Sequence, residues 1–243
     1  MLTLNLSRVR NFLIMLKGFL SLFLQAVCPL CQRSTAQWLC QYCLAQLQEQ
    51  QSPHPDRRWP DRLPCFIWGH YEGKLKQALT ALKFAPHPQL GPELGYLLAE
   101  AWLGSPLSKN LAKPQVIPIP LHPQKLKERG FNQAELIAQG FCRHTGYPCH
   151  PQGLLRVKNT TPLFALTPQQ RRATLQNALQ VGQNLGPQGQ PILLIDDIVT
   201  TGTTAREAQA VLQKQGHQLL GIAAIAAPIA AQKEAATMES AAI

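Results

Sequence analysis

The thirteen residues Ile192–Thr204, "ILLIDDIVTTGTT", constrain the fold more than any other stretch of this chain. Ile192 to Ile195 form a short apolar run with no polar alternation, the pattern of a strand buried on both faces of a parallel sheet. Asp196 and Asp197 cannot continue that burial, so they are expected at the strand's carboxyl end, where open α/β sheets place their ligands. Thr200, Thr201, Gly202, Thr203 and Thr204 then lead into "AREAQAVLQKQG", a helical stretch closing near Gly216. Helix amino ends attract anions, and a glycine among hydroxyls lets backbone approach a phosphate. Carboxylates suit sugar hydroxyls or the shell of a Mg²⁺ ion. Threonines that merely cap a helix are the plainer reading of the loop taken alone. The whole succession suits a sugar phosphate, and it is not a P-loop, because no Gly-Lys-Ser/Thr follows.

A second succession of strand, polar loop and helix lies at "QVIPIPLHPQKLKERGFNQAELIAQGFCRHTG". Val116 to Ile119 is an apolar β run whose prolines mark an irregular strand end. A basic loop follows with His122, Lys125, Lys127 and Arg129, then Gly130, and Asn132 opens a helix to about Cys142. A solvated basic turn is the simpler reading. Beside the acidic pair, these cations become the counter-charge for a pyrophosphate, whose oxygens Arg and Lys bind well.

Cysteine spacing adds a third constraint. Cys28/Cys31 and Cys40/Cys43 are two C-x₂-C pairs eight residues apart, which gives four thiolates the reach of a closed structural Zn²⁺ site. Two redox pairs or buried thiols are the competing reading. Cys65, Cys142 and Cys149 lack partners at ligand spacing and read as small apolar residues. The total of seven cysteines, an odd number, argues against a complete secreted disulfide framework. Asn11 to Val27, after Arg8 and Arg10, imitates a signal peptide, but Lys17 interrupts it and no A-x-A site follows. It reads as an amphipathic helix, with no integral membrane span and a cytoplasmic protein expected. Gln46 to Pro64, rich in Gln, Pro, Asp and Arg, reads as a linker to the main domain.

That domain opens with a short strand in "CFIWGH", a helix carrying Lys74, Lys76 and Lys83, and a second helix ending at Gly104. Residues 154–181 carry Arg156, Lys158, Arg171 and Arg172 and read as an excursion over the site or an exposed basic hairpin. "LLGIAAIAA" is the last strand, and residues 230–243 a disordered tail. The expected division is 1–60 for the amphipathic helix, zinc module and linker, 61–229 for the α/β domain, and 230–243 for the tail. At 45% hydrophobic residues the chain can fill a core, and its net charge of +10 favours polyanionic partners. Single-stranded DNA is one such partner, tracking over Lys74, Lys76, Lys83, Arg171 and Arg172 with Trp59, Trp68 or Phe131 stacking on bases. Weak binding to any polyanion is the bland alternative.

The paired cysteines, "IPIPLHPQKLKERGFNQAE", "TPQQRR" and "ILLIDDIVTTGTT" together resemble the ComF family, proteins of bacterial DNA uptake and natural transformation. The last stretch also resembles the signature of type I phosphoribosyltransferases. The resemblance implies that fold, a mostly parallel sheet flanked by helices, with phosphoribosyl pyrophosphate (PRPP) and Mg²⁺ as ligands and the DNA-uptake machinery as partner. It implies Asp196 and Asp197 at the ribose hydroxyls or metal, Thr200 to Thr204 at the 5′-phosphate, and His122, Lys125 and Arg129 at the pyrophosphate. Nucleobase salvage, or PRPP sensing without turnover, remains the alternative. The chain departs from the family at Leu163 and Thr174, where Gln and Asn are frequent.

Overall fold

The computed structural model describes residues 26–58, 63–84, 87–109, 113–159, 178–183, 185–186 and 189–229. The expected amphipathic helix at 11–27 falls almost wholly outside these residues, as do Trp59, Leu163, Arg171, Arg172, Thr174 and the tail from 230.

A five-stranded sheet organises the chain. Strands β1 (Asp56–Arg58), β2 (Pro64–His70), β3 (Gln115–Pro118), β6 (Ile192–Ile198) and β7 (Leu219–Ala227) lie in the order β1-β2-β7-β6-β3. β2, β7, β6 and β3 are mutually parallel, and β1 adds antiparallel at the edge of β2. Strands β4 (Leu154–Arg156) and β5 (Leu179–Val181) form a separate antiparallel pair. The helices are α1 (Gln41–Gln48), α2 (Gly73–Phe84), α3 (Leu90–Gly104), α4 (Pro106–Lys109), α5 (Pro123–Arg129), α6 (Gln133–Thr145) and α7 (Thr203–Lys214).

Both faces of the sheet are covered, which explains the unbroken apolar run in β6. Leu193 and Ile195 join Phe66, Trp68 and Ile225 under α2, α3 and α6. Ile192 and Leu194 join Ile67, Ile117 and Ile222 under α7 and the β4–β5 pair. Successive strand residues point to opposite faces, so this split also decides where Asp196 and Asp197 go. α3 and α6 cross at glycines: a Cβ on Gly95 would lie 2.0 Å from Ile137 O, and one on Gly140 2.0 Å from Pro92 O.

Three expectations need correction. The stretch after the cysteines is no free linker: α1 extends to Gln48, Ser52 N–H donates to Trp68 O at 2.8 Å, and Ile67 N–H donates to Pro55 O at 2.9 Å. Its backbone exchanges hydrogen bonds with β2 in both directions, so the chain continues the sheet instead of crossing solvent. The cysteine module likewise shares one core with α2 and α3 through Leu30, Leu39 and Leu47. Finally, the basic loop is helical: His122 caps α5, and Gly130 closes it at φ 83°, a value glycine adopts without strain.

Candidate functional site

β3 and β6 are neighbours, so the loops at their carboxyl ends meet. The register Pro118↔Ile195 sets Ile119 and the α5 entry beside the acidic pair. β6 runs past Ile195 to Ile198, so both aspartates lie within its last residues. Asp197 is also buried, at 8% exposure, against the expectation that neither aspartate could continue the burial. The reason is a counter-ion. Asp197 follows Leu193 and Ile195 onto the α2 face, where Lys83 Nζ meets its Oδ2 at 2.6 Å. Its Oδ1 accepts the Ile198 N–H at 2.8 Å.

Asp196 points the other way, toward α7 and β4. Its Oδ1 accepts the Asp197 N–H at 2.8 Å. Burial, and then the Asp197 charge, push its carboxyl well above the usual carboxylate range. Asp196 also holds up the charge of Arg156, whose guanidinium burial drives the other way.

The two loops enclose a cleft of about 1110 Å³. Lys83, Lys125, Arg129 and Arg156 bring cations to it, Asp196 and Asp197 the carboxylates, and Phe84, Pro88 and Phe131 an apolar side. Burial first, then Arg156 and Arg129, lowers the Lys125 ammonium; burial lowers Arg129, opposed by Asp197. Arg129 also lies over the ring of Phe84, 5.9 Å from its centroid. A pocket of about 50 Å³ adjoins the cleft at the β6–α7 turn, lined by Thr200, Thr201, Gly202, Thr203 and others; Asp196 and Thr204 line both. Gly202 holds φ 68° as the residue before α7, and Thr201 and Thr203 hydroxyls touch at 2.7 Å.

The structure thus gathers Asp196, Asp197, Lys125, Arg129 and the Thr200–Thr204 turn. His122 lies at the margin of the cleft: the ring Nδ1 accepts the Gln124 N–H at 3.3 Å, and the residue lines an adjoining pocket that shares Leu121, Asn132 and Arg156 with the cleft. Arg156 lines the cleft as part of the stretch read as an excursion over the site, two residues beyond Leu154 and on the same side of a short strand. Lys83 enters the site unforeseen, because only the packing of α2 on β6 aims it. Of the residues offered to single-stranded DNA, Trp68 is 2% exposed within the core and Lys83 is committed to Asp197. Phe131 remains at the cleft, and Lys74 and Lys76 on α2.

The four sulfurs of Cys28, Cys31, Cys40 and Cys43 lie within 4.8 Å of one another. Zn–S bonds of about 2.3 Å put tetrahedral sulfurs about 3.8 Å apart, so the quartet fits Zn²⁺. Burial raises the Cys28 thiol, but backbone donors from Cys40, Leu30 and Cys31 bring it down to about 6; burial and the neighbouring thiols push Cys43 up to about 12. Four thiols crowded together are poised to lose protons to a metal. Cys142 and Cys149 are not isolated small residues as expected: they are half-buried and hydrogen-bonded to each other, which raises Cys142 and lowers Cys149.

Comparison with known proteins defines a class of competence and DNA-utilization proteins. Competence protein F of Haemophilus influenzae is 30% identical over 206 residues, covering 82% of this chain and 90% of its own. The DNA utilization protein YhgH of Escherichia coli O157:H7 is 28% identical, over 78% of this chain and 85% of its own. The chain belongs to the ComF family of competence proteins. No family model matches it. Adenine phosphoribosyltransferase of Leishmania donovani superposes on 72% of this chain and 76% of its own with a TM-score of 0.42, at 13% identity. Among the described residues no helix is long and apolar enough to cross a membrane.

Proposed function

We propose that this chain binds PRPP with Mg²⁺ through a type I phosphoribosyltransferase domain and serves DNA uptake, as the names of its relatives suggest. One observation carries the reading: an acidic pair, Asp197 buried and Asp196 half-buried, shares a cleft with Lys125 and Arg129 that adjoins a glycine–threonine pocket at a helix amino end. In this reading the Thr200–Thr204 turn takes the 5′-phosphate, and Asp196 and Asp197 orient the ribose hydroxyls. Lys125 and Arg129 meet the pyrophosphate, while His122 shapes α5 as its cap. Two carboxylates beside phosphate oxygens fit a hard cation, and Mg²⁺ bound there would neutralise pyrophosphate charge.

If the domain turns over, an acceptor attacks the ribose C1 as pyrophosphate departs with its bonding electrons. The chain's part is orientation and stabilisation of that departing charge by Lys125 and Arg129. Among the described residues of the cleft none is placed as a covalent nucleophile, which suits direct transfer. The cytoplasm, where PRPP is made, is the matching compartment. Pyrophosphate release from PRPP across nucleobases, amines and single-stranded DNA tests the proposal. Release dependent on one acceptor class identifies the transferase, tight PRPP binding without release marks a sensor, and neither binding nor release refutes the reading.

A further inference from the structure

A second cavity, of about 770 Å³, lies at the opposite end of α3 from the cleft. Pro88, just before α3, lines the cleft, whereas Gly104 and Ser105 at the other end of the helix line this cavity. The 15 residues of α3, at about 1.5 Å each, set the two apart by about 22 Å. No described residue lines both. Cavities of this size take small molecules.

Its walls are held in place. Ser52 N–H donates to Trp68 O at 2.8 Å, Ile67 N–H donates to Pro55 O at 2.9 Å, and Ser52 Oγ donates to His54 O at 3.0 Å. Residues 52–55 are thereby pinned to β2. Across from them Ser105 N–H donates to Trp102 O at 3.0 Å and closes α3. Pro53, Pro55, Ala101 and Pro106 supply apolar wall.

Two buried polar atoms of the lining have no partner among the described residues: Asp56 Oδ1, and Ser105 Oγ on a residue only 5% exposed. Such groups in native proteins call for an explanation. Burial pushes the Asp56 carboxyl up, and among the described residues of the lining no Lys or Arg answers it. The carbonyl end of α3 adds partial negative charge, and no basic residue stands in that helix's last turn. On a chain of net charge +10, this corner lacks positive charge. What fits it must bring N–H donors and a cation together. One carboxylate and one hydroxyl are too few oxygens to strip a hard metal ion of its water. A guanidinium suits better, because its forked donors match a carboxylate and its weakly hydrated plane lies well on apolar wall.

We propose that Asp56 and Ser105 form a seat for a small guanidinium-bearing molecule at the carboxyl end of α3. Asp56 accepts from the guanidinium fork, and Ser105 Oγ accepts a further N–H. The seat is independent of the phosphoribosyl cleft and stands whether or not that cleft binds PRPP.

Calorimetry of the full chain with agmatine and, separately, putrescine tests it, since putrescine carries an ammonium where agmatine carries the guanidinium. Wild type should bind about one agmatine per chain, and putrescine at least about fivefold more weakly. Asp56→Asn should weaken agmatine about tenfold or more, the worth of a hydrogen bond to a charged group, and Ser105→Ala about fivefold. Circular dichroism and the urea midpoint show whether the variants are folded; should Asp56→Asn unfold, Ser105→Ala decides. No agmatine binding by wild type, equal affinity for putrescine, or unchanged agmatine affinity in either folded variant overturns the seat.

Discussion

Replacing Lys83 with Met removes the counter-ion of Asp197 while keeping the length of the side chain. The pair is short, 2.6 Å, with side chains 23% and 12% exposed. Asp197 Oδ1 would keep the Ile198 N–H, but Oδ2 has no other hydrogen-bond partner. Stranding a buried charge costs about 3–5 kcal/mol, and water reaching the partly exposed Lys83 side lowers this toward about 2 kcal/mol. Asp197→Asn keeps an acceptor for Ile198, so the double variant should recover most of the loss, a coupling of about 1.5–2 kcal/mol. Urea unfolding at pH 7 measures all four corners of the cycle. High salt should leave the coupling largely intact, because buried pairs are poorly screened. A Lys83→Met cost below about 0.5 kcal/mol, with additive effects in the double variant, would refute the burial argument.

Two further outcomes follow from the site and the cysteine module. A carboxyl raised by burial helps folding below its unfolded value, near about 4, and that help is lost as pH rises through the folded value. Asp196 is raised, so Asp196→Asn should unfold at higher urea than wild type at pH 8, with no such gain at pH 4; equal stability at pH 8 contradicts the shift. Elemental analysis should find about one zinc per chain, absent from Cys40→Ser. Because the module shares its core with Trp68 and Trp102, metal loss should also lower the unfolding midpoint seen by tryptophan fluorescence. A loss of about 3 kcal/mol would move it by about 6–12 °C. Intact thiols without zinc, or an unmoved midpoint, would count against a structural metal.

What was legible in the sequence was local chemistry at fixed spacing. The apolar run before Asp196, the glycine and threonines after it, and the two C-x₂-C pairs each carry their signal within a dozen residues. Asn132 and Gly202 were readable for the same reason, since cap and turn positions accept few residue types. Residues 49–58 were misread because polar, proline-rich composition looks the same in a linker and in an edge segment; only the hydrogen bonds exchanged with β2 distinguish them. Asp197 was not expected to continue the strand's burial because its partner sits more than a hundred positions away in sequence, at the end of α2.

The central claim is that the acidic pair and its cleft bind PRPP. Titration calorimetry with PRPP and Mg²⁺ tests it most directly, comparing wild type with the Asp196→Asn, Asp197→Asn double variant at matched circular dichroism. The account predicts saturable binding near one per chain in wild type, weakened at least about tenfold in the variant, as expected when charged hydrogen-bond acceptors are removed. Equal affinity in the two proteins, or no PRPP binding by wild type, would contradict it.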